Sequence, residues 1–313
     1  MQFIISNSAE KLREILNIFP AGDVATVEAE YGDEVVEGGY ATLAHHGPRS
    51  GNPAPCLFGT TRGPATPDIV GLSHLDLDAL GGCMALMRDE AMDMGVDGEF
   101  LSFWRLAAFV DVNGPHRLSE SGASAEDLER LYAFWAWAKD HRVVPPRDGS
   151  VVNVTGQVYK AKEALLDILD ADEALLEAGR AFRGAEDVLD AASWRGTRSC
   201  EGGDGKEVAN VLRRESDQFV NHLYAHRGVA ADAVVARNTV TGAVTVSFAG
   251  PPPGGGAVEI VQRVWGPLAG GHAGIAGCPR GHVCTDDEFD AAIHYVALAF
   301  YQASPGAIPS REF

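Results

Sequence analysis

The chain contains no run of 18 apolar residues, which excludes a membrane-spanning helix of ordinary length. Its first residues, MQFIISNSAEKLREIL, contain neither a basic start nor a sustained apolar stretch, so we expect no secretory signal. Cysteine is scarce as well. The five cysteines are odd in number and scattered, which favours reduced thiols over a disulfide framework. Together these absences predict a cytoplasmic protein that is not bound to a membrane.

Positive charge is also in short supply. Lys and Arg number 25 against 44 Asp and Glu, for a formal net charge of −19, and no stretch is rich in Lys or Arg. Such a chain repels a polyanion, which argues against duplex nucleic acid as a partner and favours a small anionic substrate held through a metal. The alternative is that the acidic charge only keeps the protein soluble.

The order of predicted elements indicates an α/β fold with two domains. A length of 313 residues, 46% of them hydrophobic, suffices for two hydrophobic cores. We predict a larger N-terminal sheet domain over residues 1–198, which carries the metal site, and a smaller C-terminal α/β domain over residues 205–313. The glycine-rich segment 198–206 marks the boundary, and a cleft lies between the domains.

The second domain has its own sequence of predicted elements. We expect a helix from Glu207 to His226 and two strands around the turn NTVTGA. A strand VEIVQRVW and a last helix from Asp286 to Ala303 follow.

The first candidate site is SHLDLDALGG, which follows the apolar strand DIVGL. Alternate residues of a strand share a face, so His74, Asp76 and Asp78 point the same way if the strand reaches that far. One imidazole and two carboxylates suit Mn²⁺ or Mg²⁺. The alternative is a solvated turn in which Asp78 only caps the next helix.

Two further segments offer residues to such a site. Asp111, in FVDVNGPH, could bridge or complete a two-metal site, or it could start an ordinary turn. His45 and His46, in the loop TLAHHGPRSGN, could bind metal and either hold phosphate or donate a proton. Arg49 could hold a phosphate oxygen with its guanidinium group. An exposed surface loop would also explain the two histidines.

Two motifs of the second domain could bind ligands. In GPLAGGHAGIAG the glycines Gly270 and Gly271 would let backbone amides approach an anion and present His272, although such a turn is usually only a tight connection. CPRGHVC offers three soft metal ligands without a clear fourth, at Cys278, His282 and Cys284.

HLDLDALGG, followed in the second half of the chain by GGHAGIAG, resembles the DHH phosphoesterase superfamily with its DHH-associated C-terminal domain. The resemblance covers residues 68–116 and 205–303. It implies a two-domain fold with an active cleft, in which two Mn²⁺ or Mg²⁺ ions activate water. It implies that the first-domain residues bind metal and the glycine turn binds substrate: His74, Asp76, Asp78 and Asp111 on the metal side, and Gly270, Gly271 and His272 on the substrate side.

The chain departs from this family in the order of its motifs. The Asp-His-His motif that names the family is expected after the first metal motif, whereas the pair His45-His46 precedes it. Either the first domain is rearranged in chain order, so that the early loop supplies His45 as a metal ligand, or the metal site is built differently. We prefer the rearranged order.

The function predicted from these residues is metal-dependent hydrolysis of a small phosphate-containing substrate, such as a nucleotide or short oligonucleotide. His45, His46 and Asp76 are the predicted catalytic residues. One alternative is a nucleotide-binding sensor or scaffold without activity. Another is a single-strand exonuclease, which would need an aromatic track. The only candidate track is an aromatic group at helical spacing: Tyr132, Phe134, Trp135 and Trp137. The chain could also form a homodimer.

Overall fold

A computed structural model describes residues 1–29, 35–45, 49, 51–58, 66–92, 98–146, 148–193, 198–201, 207–216, 224–226, 229–271, 273–279 and 281–303. It confirms the α/β class and divides the chain into two compact units, Met1–Arg183 and Gly184–Phe313. This division lies inside a helix, ahead of the predicted boundary at 198–206. The predicted domain limits and cleft stay predictions.

The first unit is built on a five-stranded sheet. Its strands are β1 (Gln2–Ile5), β2 (Val24–Val27), β3 (Ala41–Leu43), β4 (Ile69–Leu72) and β5 (Val152–Asn153). Its helices are α1 (Ala9–Leu16), α2 (Leu77–Met87), α3 (Leu101–Asn113), α4 (Ala125–Asp140), α5 (Thr155–Leu169) and α6 (Glu173–Ser193), which continues into the second unit. The strand order is β3-β2-β4-β1-β5, and only β5 runs antiparallel to its neighbour.

Helices cover both faces of this sheet, which is why its central strands are apolar on both sides. Phe3 and Ile5 of β1 belong to a core shared with α2, α3, α4 and α5. Ile4 points the other way and packs with Leu12 and Leu16 of α1. The first unit therefore has three layers, with the sheet in the middle. Because β1, β2, β3 and β4 are parallel, their carboxyl ends lie at one edge of the sheet.

Helix α2 approaches this sheet closely because two successive residues lack a side chain. A Cβ atom on Gly81 would lie 2.5 Å from the Cβ of Cys56, and one on Gly82 would lie 2.8 Å from the Cβ of Pro55 and 2.9 Å from Val27. The glycines of the ALGG segment thus bring α2 against β2 and the short 3-10 turn Pro55–Leu57.

The second unit is built on a six-stranded mixed sheet. Its strands are β6 (Arg198–Glu201), β7 (Glu207–Ser216), β10 (Ala233–Asn238), β11 (Val244–Phe248), β12 (Gly270–Gly271) and β13 (Ile275–Gly277). Their order in the sheet is β12-β13-β11-β10-β7-β6. A separate two-stranded pair is formed by β8 (Ala225–His226) and β9 (Val229–Ala230). Helices α7 (Gly256–Trp265) and α8 (Asp286–Ala303) share a hydrophobic core with the larger sheet.

Two predictions for this unit are wrong. The segment predicted as a helix from Glu207 begins instead with strand β7, which pairs with β6 on one side and β10 on the other. VEIVQRVW lies in helix α7, whose Ala257, Ile260 and Val261 are buried at helical spacing. The two strands around NTVTGA and the last helix, Asp286–Ala303, are confirmed.

Among the described residues, no helix is both long enough and apolar enough to cross a membrane.

Candidate metal centre

Four side chains meet at the carboxyl edge of the first sheet, and we call them the His45 cluster: Glu28, His45, Asp78 and Asp111. One ligand atom each from Glu28, His45 and Asp78 lies within 4.8 Å of the other two, and all three residues are buried. The Nε2 atom of His45 is 3.6 Å from Glu28 Oε1 and 3.6 Å from Asp78 Oδ2. It is 2.8 Å from Asp111 Oδ2. One imidazole thus faces three carboxylates.

The strand order explains this meeting. Glu28 directly follows β2, His45 follows β3 by two residues, and Asp78 lies in the first turn of α2 after β4. Because β3, β2 and β4 are adjacent and parallel, residues beyond their carboxyl ends converge at one edge. His45, from the early loop, thus lies near Asp78 of HLDLD. The rearranged motif order and the role of His45 as a metal ligand stay predictions.

Glu28 is held in an unusual backbone conformation. Its φ is +52°, in the left-handed region that few residues other than glycine adopt. The amide of Glu28 donates a hydrogen bond to the carbonyl of Leu43 at 2.9 Å. The carbonyl of Glu28 accepts a hydrogen bond from the hydroxyl of Ser73. These bonds tie Glu28 to the ends of both neighbouring strands.

Asp78 is a buried carboxylate, and within the described part of the chain only one of its oxygens accepts a hydrogen bond. Its Oδ1 accepts a hydrogen bond from the amide of Cys56 at 3.0 Å. Its Oδ2 accepts none from the residues that the structure describes, and the residue is only 3% exposed. Burial raises the pKa of Asp78 to about 7. A buried carboxylate oxygen without a donor is costly, and a bound cation would remove that cost.

His45 responds to the carboxylates around it. The hydrogen bond to Asp111 raises the pKa of His45, and the charges of Asp111, Glu28 and Asp78 act in the same direction against the opposing effect of burial. The cluster therefore favours positive charge at its centre, whether that charge is a proton or a metal ion.

His74 and Asp76 form a separate pair. Strand β4 ends at Leu72, so the prediction that His74, Asp76 and Asp78 share a strand face is wrong. His74 Nε2 lies 3.2 Å from Asp76 Oδ2, and their side chains are 36% and 47% exposed. Asp76 is the N-cap of α2, because its Oδ1 accepts the amide of Ala79 at 2.9 Å. The alternative in which Asp78 is the cap is therefore wrong as well.

The charge of His74 also depends on neighbouring carboxylates. Removal from water lowers the pKa of His74, but the charge and hydrogen bond of Asp76, with the charges of Glu28 and Asp111, outweigh it and raise the pKa to about 9. The Oγ of Ser73 lies 2.8 Å from the second ring nitrogen, Nδ1. The His74–Asp76 pair is thus electrostatically connected to the His45 cluster.

Asp111 reaches the cluster from a helix. It lies in the last turn of α3, so the alternative in which it starts a turn is wrong. Its carboxylate holds the imidazole of His45 at 2.8 Å. The metal-bridging role predicted for Asp111 stays a prediction.

The other predicted site residues lie in loops or in the second unit. Arg49 is half-buried in the loop after His45, which Asn52 stabilises by donating to the carbonyl of Ala44 at 3.2 Å. Gly270 and Gly271 form β12, and a Cβ on Gly271 would lie 2.5 Å from the carbonyl oxygen of Ile275. His46 and His272 lie outside the described residues. The substrate-binding roles of these residues stay predictions.

Sequence reasoning missed Glu28. Its signal was an acid immediately after the apolar run VATV, at the end of a strand. Cys56 was also missed, and nothing in its local sequence marks its amide as the donor to Asp78.

The chain matches no protein-family model, and no curated protein matches it either. Its function is therefore inferred from the geometry of the His45 cluster.

Proposed function

We propose that the chain is a metal-dependent phosphoesterase acting on a small phosphate-containing substrate. The observation that carries this proposal is the buried group of Glu28, His45 and Asp78, whose ligand atoms lie within 4.8 Å of one another. The group lies beyond the carboxyl ends of parallel strands, where α/β proteins bind their ligands.

The ligand set supports Mn²⁺ or Mg²⁺. Carboxylate oxygens are the ligands that these hard ions prefer, and one imidazole is common for Mn²⁺. The buried Oδ2 of Asp78 accepts no hydrogen bond from the described residues, and a bound cation would compensate its charge. Glu28, His45 and Asp78 would hold one ion. Asp111, together with His74 and Asp76, would complete a second position next to it.

When bound, such ions supply Lewis-acid stabilisation of phosphoryl charge and make water a better nucleophile near neutral pH. The chain's own residues prepare the site for this. Cys56 orients Asp78 through its amide, and in the absence of metal Asp111 pairs with His45 at Nε2, the nitrogen that faces the carboxylates. Since this nitrogen must lose its proton to bind metal, we expect metal binding to release protons. Arg49 would hold a phosphate oxygen of the substrate with its guanidinium group.

The aromatic residues of α4 do not favour the exonuclease alternative. Phe134 is buried, and the rings of Tyr132 and Trp135 pack edge to face with centroids 5.2 Å apart. Trp135 and Trp137 pack against the core of the first unit. These contacts account for the aromatic group without a nucleic-acid strand.

The test is metal binding and hydrolysis measured on the same variants. Wild type, Asp78→Asn, Glu28→Gln and His45→Ala would be assayed with linear and cyclic dinucleotides and simple phosphodiesters, in Mn²⁺ and in chelator. Asp68→Asn is the matched control, because Asp68 is exposed and precedes β4 at the opposite end of the strand. We expect Mn²⁺-dependent turnover in wild type and control, and at least about a hundredfold loss in each cluster variant.

Two results would contradict the proposal in different ways. If Mn²⁺ binds neither wild type nor control, the cluster is not a metal centre. If Mn²⁺ and nucleotide bind but no phosphoester is cleaved, the chain is a sensor of the alternative class.

A further inference from the structure

A second group of metal-ligating side chains lies in the second unit, far along the chain from the His45 cluster. Cys278 follows β13, His282 and Cys284 lie in the loop after it, and Glu288 lies in the first turn of α8. The spacing is Cys-x3-His-x-Cys-x3-Glu. The sequence motif CPRGHVC lacked a fourth ligand, and the fold brings Glu288 to two of its residues, His282 and Cys284.

The side chains converge at short distances. His282 Nε2 lies 2.9 Å from Glu288 Oε1 and 3.0 Å from Glu288 Oε2. One ligand atom each from His282, Cys284 and Glu288 lies within 4.8 Å of the other two. The sulfur of Cys278 lies 4.0 Å from the carbonyl oxygen of His282. Ligand atoms around tetrahedral Zn²⁺ are separated by roughly 3.3–3.8 Å, given bonds of about 2.0–2.3 Å. Small side-chain rotations would therefore close the group around one ion.

We propose that Cys278, His282, Cys284 and Glu288 bind one structural Zn²⁺ ion. Two sulfur ligands, one imidazole and one carboxylate form a closed four-ligand set, and thiolates select zinc over the hard ions suited to the His45 cluster. The ion would join the end of β13 to the beginning of α8. This site is independent of the proposed function.

The backbone around the cysteines supports thiolate ligands. The amide of Val244 on β11 donates to the sulfur of Cys278 at 3.3 Å, a type of bond that orients and stabilises a metal-bound thiolate. The amide of Cys284 donates to the carbonyl of Gly242 at 3.0 Å, which fixes the second cysteine to the same strand turn.

Glu288 has a second role that allows a sharp test. It forms a capping box with Thr285: the Thr285 amide donates to Glu288 Oε2 at 2.8 Å, and the Glu288 amide donates to Thr285 Oγ1 at 3.2 Å. Glutamine serves equally well in a capping box. Glu288→Gln therefore keeps the start of α8 intact while removing the negative charge from the metal site.

The experiment measures zinc and cobalt on the full chain. Zinc content is determined by mass spectrometry after purification without chelator. The zinc is then removed, and Co²⁺ is titrated into the metal-free chain to detect thiolate-to-metal absorption. We expect about one Zn²⁺ per chain and a thiolate band in wild type. The bound zinc and the thiolate band should both be lost in Cys278→Ser and Cys284→Ser, and both should be weakened in Glu288→Gln. Both should be retained in Val283→Ser, an exposed position of the same loop, and in Asp78→Asn of the first unit.

Three results would overturn the proposal. The first is Co²⁺ binding without a thiolate band. The second is a zinc content that does not change in the variant lacking both Cys278 and Cys284. The third is a Cys278–Cys284 disulfide found by alkylation and mass spectrometry in protein purified with air excluded. Circular dichroism of Glu288→Gln, which keeps its helix cap, separates loss of zinc from loss of folding.

Discussion

Replacing Gly81 with alanine is expected to destabilise the first unit by about 1 kcal/mol. A Cβ atom at position 81 would lie 2.5 Å from the Cβ and 2.9 Å from the Cα of Cys56, whereas carbon atoms prefer about 3.5–4.0 Å. Part of this clash is with backbone, so α2 or the Pro55–Leu57 turn must move. Overpacking of this kind costs about 1–3 kcal/mol, and the higher helix propensity of alanine offsets about 1 kcal/mol.

The same movement is expected to weaken metal binding. The amide of Cys56 holds Asp78 Oδ1 at 3.0 Å, so a shift of Cys56 misdirects the carboxylate. Changes to groups that orient metal ligands typically reduce metal affinity by about 10–100-fold. We expect Gly81→Ala to lose Mn²⁺ affinity within this range if the His45 cluster binds the ion.

Gly184→Ala is the matched control. Gly184 also lies inside a helix, α6, but a Cβ there would meet no atom within 4 Å. Alanine should therefore stabilise the chain by up to about 1 kcal/mol. Urea unfolding followed by circular dichroism and tryptophan fluorescence measures both changes. Equal stabilisation by the two alanines would refute the close packing of α2 on Cys56. Unchanged Mn²⁺ affinity in Gly81→Ala would refute the positioning role of that contact.

Two further predictions concern individual carboxylates. Asp76→Asn should be about 1 kcal/mol more stable than Asp76→Ala in urea unfolding, because asparagine still caps α2. Both variants should bind Mn²⁺ more weakly in a titration, and wild-type affinity in Asp76→Asn would make Asp76 only a cap. The hydrogen bond from Arg237 lowers the pKa of Glu215. The stabilisation that ionised Glu215 gives the folded chain is therefore present above the ordinary glutamate pKa of about 4.3. It is lost as the pH falls through the lower pKa that Glu215 has in the folded chain. Glu215→Gln should flatten the fall in melting temperature between about pH 5 and 3, and an unchanged slope would contradict this account.

The last helix, Asp286–Ala303, was predicted correctly. It begins with a capping box between Thr285 and Glu288, a local pattern that is visible in the sequence. Strand β7 was missed because Val208, Val211 and Leu212 have the spacing of a helix face. Pairing with both β6 and β10 overrides that spacing, and neighbouring strands cannot be identified from a local pattern.

The candidate site was predicted in part for the same reason. His45, Asp78 and Asp111 were named from their residue types, and the structure brings them together. Glu28 is a single acid without a motif, and its place beside His45 depends on β2 and β3 being neighbours. The spacing of His74, Asp76 and Asp78 suggested a strand face, but capping by Asp76 starts α2 instead.

The left-handed backbone of Glu28 has a consequence for redesign of this fold. A residue with a side chain costs roughly 1–3 kcal/mol in such a conformation, a cost that glycine avoids. Any procedure that optimises stability alone would place glycine at position 28 and remove the carboxylate. The position should therefore be held constant in engineering, because the best residue for the backbone there is the wrong residue for the cluster.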